Sequence, residues 1–350
     1  MPTKRIIETR LRHKDEWFKL LAVAEVTRLP ILLIGPPGTG KTNTLLDYAA
    51  AKFNHDKEEA SKHCFIIEVD EGTKAAEIRG RIDIEKLVID HKYDIHAPIV
   101  NANFVMINEV DKASSSFRNS MLSGMNEKEL MTGKHRLKLN WEVWCASCNT
   151  IPSEEKDSPF WDRFVLKAKV DRLNKDQLAT MMIATPSLHT DSKALHSIEL
   201  NIPLQEDMDA ISMNKDMIKK FVSMTHGVLS DRTITYVPTI VKAIMHIYGM
   251  GQASAFVKAA EILCGTDIAS KLSKDIEPKE LITIRDKAEK VTGISDGATL
   301  QREVNLIKEL IKNALDAGII DESTSDSLIQ NVRKAAEDNR YLDINFTTSK

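Results

Sequence analysis

Cysteine is scarce in this chain. The four residues, Cys64, Cys145, Cys148 and Cys264, are too few and too scattered for a disulfide framework. No apolar run approaches the roughly 20 residues of a membrane span, so no membrane-crossing helix is expected. The charged start Met1-Pro2-Thr3-Lys4-Arg5 has no apolar stretch behind it, which argues against export and for a cytoplasmic location. Neither sign of charge dominates. A formal net charge of −3 gives no bulk attraction to nucleic acid or anionic membrane, though it leaves room for a local basic patch. No internal repeat is visible. The one C-x-x-C, Cys145 to Cys148, reads as a strand entering a loop. Residues three apart on a strand face opposite ways, and no second C-x-x-C or nearby His pair completes a zinc site, so these cysteines read as structural. His91 and His96 lack a third ligand and read as surface residues.

What is present is specific. Gly35-Pro36-Pro37-Gly38-Thr39-Gly40-Lys41-Thr42 matches G-x-x-x-x-G-K-[ST], the loop that wraps nucleotide phosphates. The apolar run Pro30–Ile34 leads into it as a short buried strand, and Asn43 to Lys52 follows as a helix. That order is what the motif requires. Glycines let backbone N–H groups turn inward toward anionic oxygens, and the helix N-terminus adds its positive end. Lys41 is placed to reach the β- and γ-phosphates, and the Thr42 hydroxyl to ligate Mg²⁺. No N-K-x-D that would read guanine occurs. Asn174-Lys175-Asp176-Gln177 and Asn214-Lys215-Asp216-Met217 both put the Asp one place early, so ATP is the expected nucleotide.

At 350 residues, two or three domains are expected. Strand candidates Ile31–Ile34, Cys64–Val69, Phe104–Ile107, Glu142–Ala146 and Val165–Val170 alternate with helical stretches, the pattern of a parallel α/β sheet. After Asp171 no strand is expected. Lys215–Met224 and Tyr236–Tyr248 carry apolar residues at helical spacing, as a small helical domain reaching to about Gly265. Beyond it, Ser295-Asp296 can cap a helix with Val304, Ile307, Ile311 and Ala314 on one stripe. Gly318 then reads as its stop and Ser323–Ala336 as a returning helix, with the last ten residues or so frayed. This tail is either a hairpin docked on its own domain or a contact surface. The resulting organisation is an α/β nucleotide-binding core over 1–183, a helical lid over 184–265 and a helical extension over 266–350.

The apolar run Asn103–Ile107 ends in Asn108-Glu109, followed by Val110-Asp111-Lys112-Ala113. A strand that delivers acid beside the phosphate loop is the second nucleotide motif, and Glu109 can accept a proton from, or orient, an attacking water. At this point the chain resembles the MoxR class of AAA+ ATPases, most closely the RavA-type proteins, over roughly Leu20 to Phe164 and more weakly to Tyr248. Asn108–Ala113 is similar to that family's D-E-I-x-K-A, and Arg118–Leu122 with Asn126-Glu127 to its N-x-L-L…N-E helix. Ser147–Pro152 is similar to A-S-N-E-L-P, Phe160–Phe164 to Y-D-R-F, and Ser230-Asp231-Arg232 to S-D-R.

The resemblance implies an AAA+ fold, a doubly wound α/β core with a helical lid, and hydrolysis of Mg²⁺-bound ATP. It implies that Asn149 is a first sensor holding water or the γ-phosphate, that Arg163 is an arginine finger acting on a neighbour's ATP, and that Arg232 is a second sensor. It further implies a homo-oligomeric ring, as a hexamer, that remodels or assembles proteins, and a partner carrying a von Willebrand factor A domain. Segment Glu77–Ile99 and a hairpin over Leu130–Leu139, with its basic tip at Gly133-Lys134, occupy places where relatives carry inserted elements facing the ring channel. One position departs from the pattern: Asn108 stands where the family has Asp. The amide keeps a carbonyl oxygen but loses a full charge, so metal affinity should fall. Two other readings stay open at this level, a nucleic-acid motor or loader and an ATP-binding structural module with little turnover.

Overall fold

A computed structural model describes residues 3–9, 11, 14–82, 88–89, 95–132, 135–152, 158–169, 172, 175, 196–276, 279–291, 294, 297–316 and 322–337. The chain divides into two compact units, Met1–Asp207 and Met208–Lys350. The strands of the first, in chain order, are β1 (Thr3–Thr9), β2 (Ile31–Ile34), β3 (Cys64–Glu68), β4 (Arg81–Ile82) and β5 (Ile95–His96). They continue with β6 (Phe104–Asn108), β7 (Glu129–Thr132), β8 (His135–Lys138), β9 (Val143–Cys148), β10 (Leu166–Lys169) and β11 (His196–Ile202).

Five of them form one parallel sheet in the order β10-β2-β9-β6-β3. These are the five strands the sequence predicts, displaced by a residue or two at their ends. Their near-continuous apolar runs follow from burial on both faces. On one face Leu32, Val105, Ile107, Trp144, Ala146 and Cys148 pack under Phe117, Met121, Met125, Phe160 and Trp161. On the other, Phe104 meets the Tyr48 ring edge-on at 6.3 Å, and helices Asp15–Thr27 and Lys41–Ala50 cover the strands. The result is an α/β doubly wound core of the AAA+ phosphate-loop type. Cys145 and Cys148 point to opposite faces and are both buried and unbonded, as the strand spacing requires.

One expectation is overturned. A strand does follow Asp171: β11 pairs antiparallel with β1, Thr3 opposite Ile202 through Thr9 opposite His196. On β11 the alternation that marks a strand is plain, with Ile198, Leu200 and Ile202 inward, whereas the inward face of β1, Arg5, Ile7 and Thr9, is polar at two of three positions. Each polar group is satisfied from below. The Arg5 guanidinium donates to both Glu25 carboxylate oxygens, at 2.5 and 3.1 Å, and the Thr9 hydroxyl donates to Asp47 at 2.6 Å. The expected hairpin forms from β7 and β8, in the register Glu129–Lys138 to Thr132–His135, while its tip Gly133-Lys134 lies outside the described residues.

In the second unit, helices Lys215–Thr225, Asp231–Tyr248, Gln252–Cys264 and Thr266–Ile276 enclose Phe221, Val237, Ile240, Ile244, Phe256 and Leu272. Asn214 and Ser230 cap the first two by accepting backbone N–H bonds. Helices Lys279–Val291, Gly297–Asp316 and Glu322–Glu337 build a further core, in which the predicted stripe Val304, Ile307, Ile311 and Ala314 meets Ile284, Leu328 and Val332. Ser295-Asp296, Gly318, His91 and the end of the chain after 337 lie outside the described residues. Among the described residues no helix is long and apolar enough to cross a membrane.

Candidate nucleotide site

The site grows from the C-terminal ends of β2, β6 and β9, where a parallel sheet opens its crevice. Helix Lys41–Ala50 starts immediately after the loop, with Gly40 at its N-cap in the left-handed region, φ 85°. A side chain there would be strained by the positive φ, and its Cβ would also push on the tip of Leu11, 2.8 Å from Cδ2, so the backbone conformation is what reserves position 40 for glycine. Gly38, at φ 76°, turns the loop in the same sense. The loop is braced internally. The Thr39 hydroxyl donates to the Pro36 carbonyl at 3.0 Å, and the Lys41 ammonium donates to the Gly35 and Pro36 carbonyls at 2.6 and 3.0 Å.

The acidic element is set by register. Asn108 ends β6 on the same face as Phe104 and Met106, toward helix Lys41–Ala50. Its Oδ1 accepts from the Thr42 hydroxyl at 3.2 Å and from the Ser147 hydroxyl at 3.0 Å. The chain then turns sharply: Glu109 is held at φ 58°, ψ 38°, before a short 3-10 turn Val110–Lys112. A non-glycine residue held there stores strain, of the kind that collects at functional sites. Its carboxylate pairs with the Lys112 ammonium. Asn149 follows β9, and its backbone N–H donates to Asp111 Oδ2 at 3.3 Å, which ties the β9 tip to the acidic turn. The other Asp111 oxygen is buried without a partner among the described residues.

These parts meet in one cleft of about 410 Å³, lined by residues 37–43 together with Glu68, Asn108, Glu109, Ser147, Cys148 and Asn149. Burial lowers the Lys41 ammonium from its ordinary value, opposed by the carboxylates of Asp111 and Glu109. Burial, and then Asp111, push the Cys148 thiol up to about 12, so it lines the cleft as an unreactive thiol. The lining suits a nucleoside triphosphate with its metal: inward-turned glycine backbone and a lysine for the phosphates, and a hydroxyl beside an amide oxygen for Mg²⁺. Among the described residues no group of three or more His, Cys, Asp or Glu could hold a metal by itself. The residues fit a metal carried in with phosphate, not a free-standing ion.

The predicted residues divide into three sets. Pro37, Gly38, Thr39, Gly40, Lys41, Thr42, Asn108, Glu109 and Asn149 share the cleft, and Gly35 and Pro36 face it only through their bonds to Lys41. Arg163 does not line it. It caps the short helix Pro159–Asp162, with Nη1 donating to the Pro159 carbonyl at 2.7 Å and Nε buried without a partner among the described residues. Arg232 lies in the second unit, in the first turn of helix Asp231–Tyr248. Sequence reading missed the roles of Glu68 and Ser147, which strand pairing brings to the site, and of Asp111, in the turn that directly follows Glu109.

Comparison with known proteins agrees with this geometry. Residues 2–209 match the family model described as the MoxR domain in the MoxR-vWA-beta-propeller ternary systems. A structural protein of Acidianus two-tailed virus is 27% identical over 224 residues, covering 59% of this chain and 35% of that protein, so the chain spans about a third of that relative's length. An uncharacterized protein of Methanocaldococcus jannaschii is 22% identical over 305 residues, 77% of this chain and 80% of its own. A crystal structure of a candidate ATPase from Cytophaga hutchinsonii shares the fold, with a TM-score of 0.54 at 14% identity over 71% of this chain and 81% of that one. The family match spans more than half of the chain and contains the whole cleft. The chain therefore belongs to the MoxR class of AAA+ ATPases.

Proposed function

We propose that the chain hydrolyses ATP to ADP and phosphate and uses the energy to remodel or assemble other proteins. One observation supports this above the rest: the phosphate loop, the Asn108-Glu109 turn and the β9 tip converge on a single cleft. In this reading the Lys41 ammonium exchanges the Gly35 and Pro36 carbonyls for β- and γ-phosphate oxygens. Thr42 and Asn108 would hold Mg²⁺, which neutralises charge on the transferring phosphoryl group. Glu109 orients a water for in-line attack and takes its proton, and Asn149, kept in place by Asp111, positions that water or the γ-phosphate. Arg163 acts on the site of the adjacent protomer in a ring, taken to be a hexamer. Arg232 reports on the phosphates from the helical lid.

The finer placement with RavA-type proteins, a cytoplasmic location and a von Willebrand factor A-domain partner belong to the same proposal. The partner is supported by the systems for which the matched family is described. A second reading is favoured by Asn108: a nucleotide-gated module that binds ATP with little turnover.

Phosphate release separates the two. The wild type should release phosphate, and Glu109→Gln should bind ATP while losing turnover by about 100-fold or more, the scale of a general base. No release above background in the wild type would favour the gated module. Added duplex or single-stranded DNA should leave the rate unchanged, and strong stimulation would favour a nucleic-acid motor.

A further inference from the structure

One carboxylate in the cleft has no role in the mechanism above. Glu68 ends β3 and is the direct register partner of Asn108 on β6. Parallel neighbours lie about 4.8 Å apart, and paired side chains share a face of the sheet. Glu68 therefore stands beside Asn108 on the face from which Asn108 meets the Thr42 and Ser147 hydroxyls. All four residues line the cleft. The Asn108 oxygen is already shared between two hydroxyls and carries no net charge, whereas a glutamate one strand away has the reach to bring a charge to the same place. An aspartate at 68 would be a methylene shorter.

We propose that Glu68 supplies the carboxylate charge that position 108 lacks, so that the acidic element toward Mg²⁺ is divided between two neighbouring strands. The amide of Asn108 orients and the carboxylate of Glu68 attracts the divalent ion. This rests on the nucleotide-binding reading above. The bland expectation for an exposed glutamate at a cleft rim is a solvated side chain with no effect on metal, and the two differ in a measurable quantity.

The test is binding of a fluorescent ATP analogue to the whole chain at free Mg²⁺ concentrations rising from EDTA to millimolar. Wild-type affinity should tighten with Mg²⁺. In Glu68→Gln, which keeps size and polarity at an exposed position, the Mg²⁺ midpoint should rise about tenfold, the scale of one lost charge beside a divalent ion. Affinity in EDTA should not fall, because the triphosphate has lost a repulsive neighbour. Adding Asn108→Asp to Glu68→Gln should return the midpoint toward wild type. An unchanged midpoint in Glu68→Gln overturns the proposal, and so does an equal loss of affinity with and without Mg²⁺, which marks a merely structural side chain. A wild type that takes up no analogue at any Mg²⁺ concentration removes the nucleotide reading itself, and this inference with it.

Discussion

Lys41 and Asn108 carry most of the chemistry that is particular to this cleft. The Lys41 ammonium is partly withdrawn from water and held by two carbonyls of its own loop, so binding phosphate exchanges one set of charge-assisted bonds for a stronger one. Lys41→Ala should weaken Mg²⁺–ATP about 10- to 100-fold, the equivalent of ~1.5–3 kcal/mol for a hydrogen-bonded charge, measured by equilibrium binding. Asn108→Asp should strengthen metal dependence: the Mg²⁺ concentration needed for half-maximal phosphate release should fall several-fold, by about the reach of one added charge. A rise in that concentration would show that Asn108 does not face the metal. The loop, Glu109 and Asn149 were legible as residues because each belongs to a short local pattern with a fixed order. Glu68 and Ser147 were not. They reach the cleft only through the pairings of β3 and β9 with β6, which no local spacing announces.

Among the elements, the least expected is the β1–β11 ribbon, and it bears directly on the loop helix. Arg5 on β1 meets Glu25 on helix Asp15–Thr27, and Tyr48 on the loop helix donates to the same carboxylate at 2.5 Å. All three are buried or nearly so, and Lys52 adds a weaker contact to Glu25 at 3.4 Å. Burial alone would raise the Glu25 pKa. The hydrogen bond and charge of Arg5, with help from Tyr48 and Lys52, outweigh it and hold Glu25 below the ordinary carboxylate range. The folded state therefore binds this proton less readily than the unfolded chain. The stabilisation is complete above the unfolded value, about 4.3, and is lost as pH falls through the lower folded value.

Removing one partner of a buried pair is costly, so Glu25→Ala should lose ~3–5 kcal/mol in urea unfolding and flatten the acid limb of stability below about pH 4. A loss under ~1 kcal/mol would show that water reaches this network. The parallel strands were legible in sequence as near-continuous apolar runs, and the long helices because apolar residues fill one face. β1 was hidden because a salt-bridged arginine and a buried threonine occupy inward positions where the pattern calls for aliphatic residues, whereas β11 carries the full alternation in Ile198, Leu200 and Ile202 and was legible.

At the scale of the whole molecule, the decisive question is whether one chain completes its own site. Arg163 stands outside the cleft of its own chain, its Nη1 bonded to the Pro159 carbonyl and its Nε buried and unpartnered among the described residues. A finger acting across a protomer boundary is consistent with that placement. Arg163→Ala should then reduce turnover about 10³-fold while leaving ATP affinity near wild type. Mixing Arg163→Ala with Glu109→Gln should restore activity at roughly a quarter of sites by random pairing, since some interfaces then combine an intact Glu109 with an intact Arg163. Inactive mixtures of two inactive variants would place Arg163 in cis, and undiminished turnover of Arg163→Ala alone would remove it from the chemistry. Assembly is legible in the sequence only through family resemblance, because symmetry is a property of surfaces and not of spacing.

The most direct measurement is a structure of the chain with a non-hydrolysable ATP analogue and Mg²⁺. The account predicts the β- and γ-phosphates wrapped by the backbone N–H groups of Gly38 to Thr42, the Lys41 ammonium released from the Gly35 and Pro36 carbonyls onto phosphate, and the metal between Thr42 and Asn108. An analogue seated elsewhere, with Lys41 still bonded to its own loop, would contradict it.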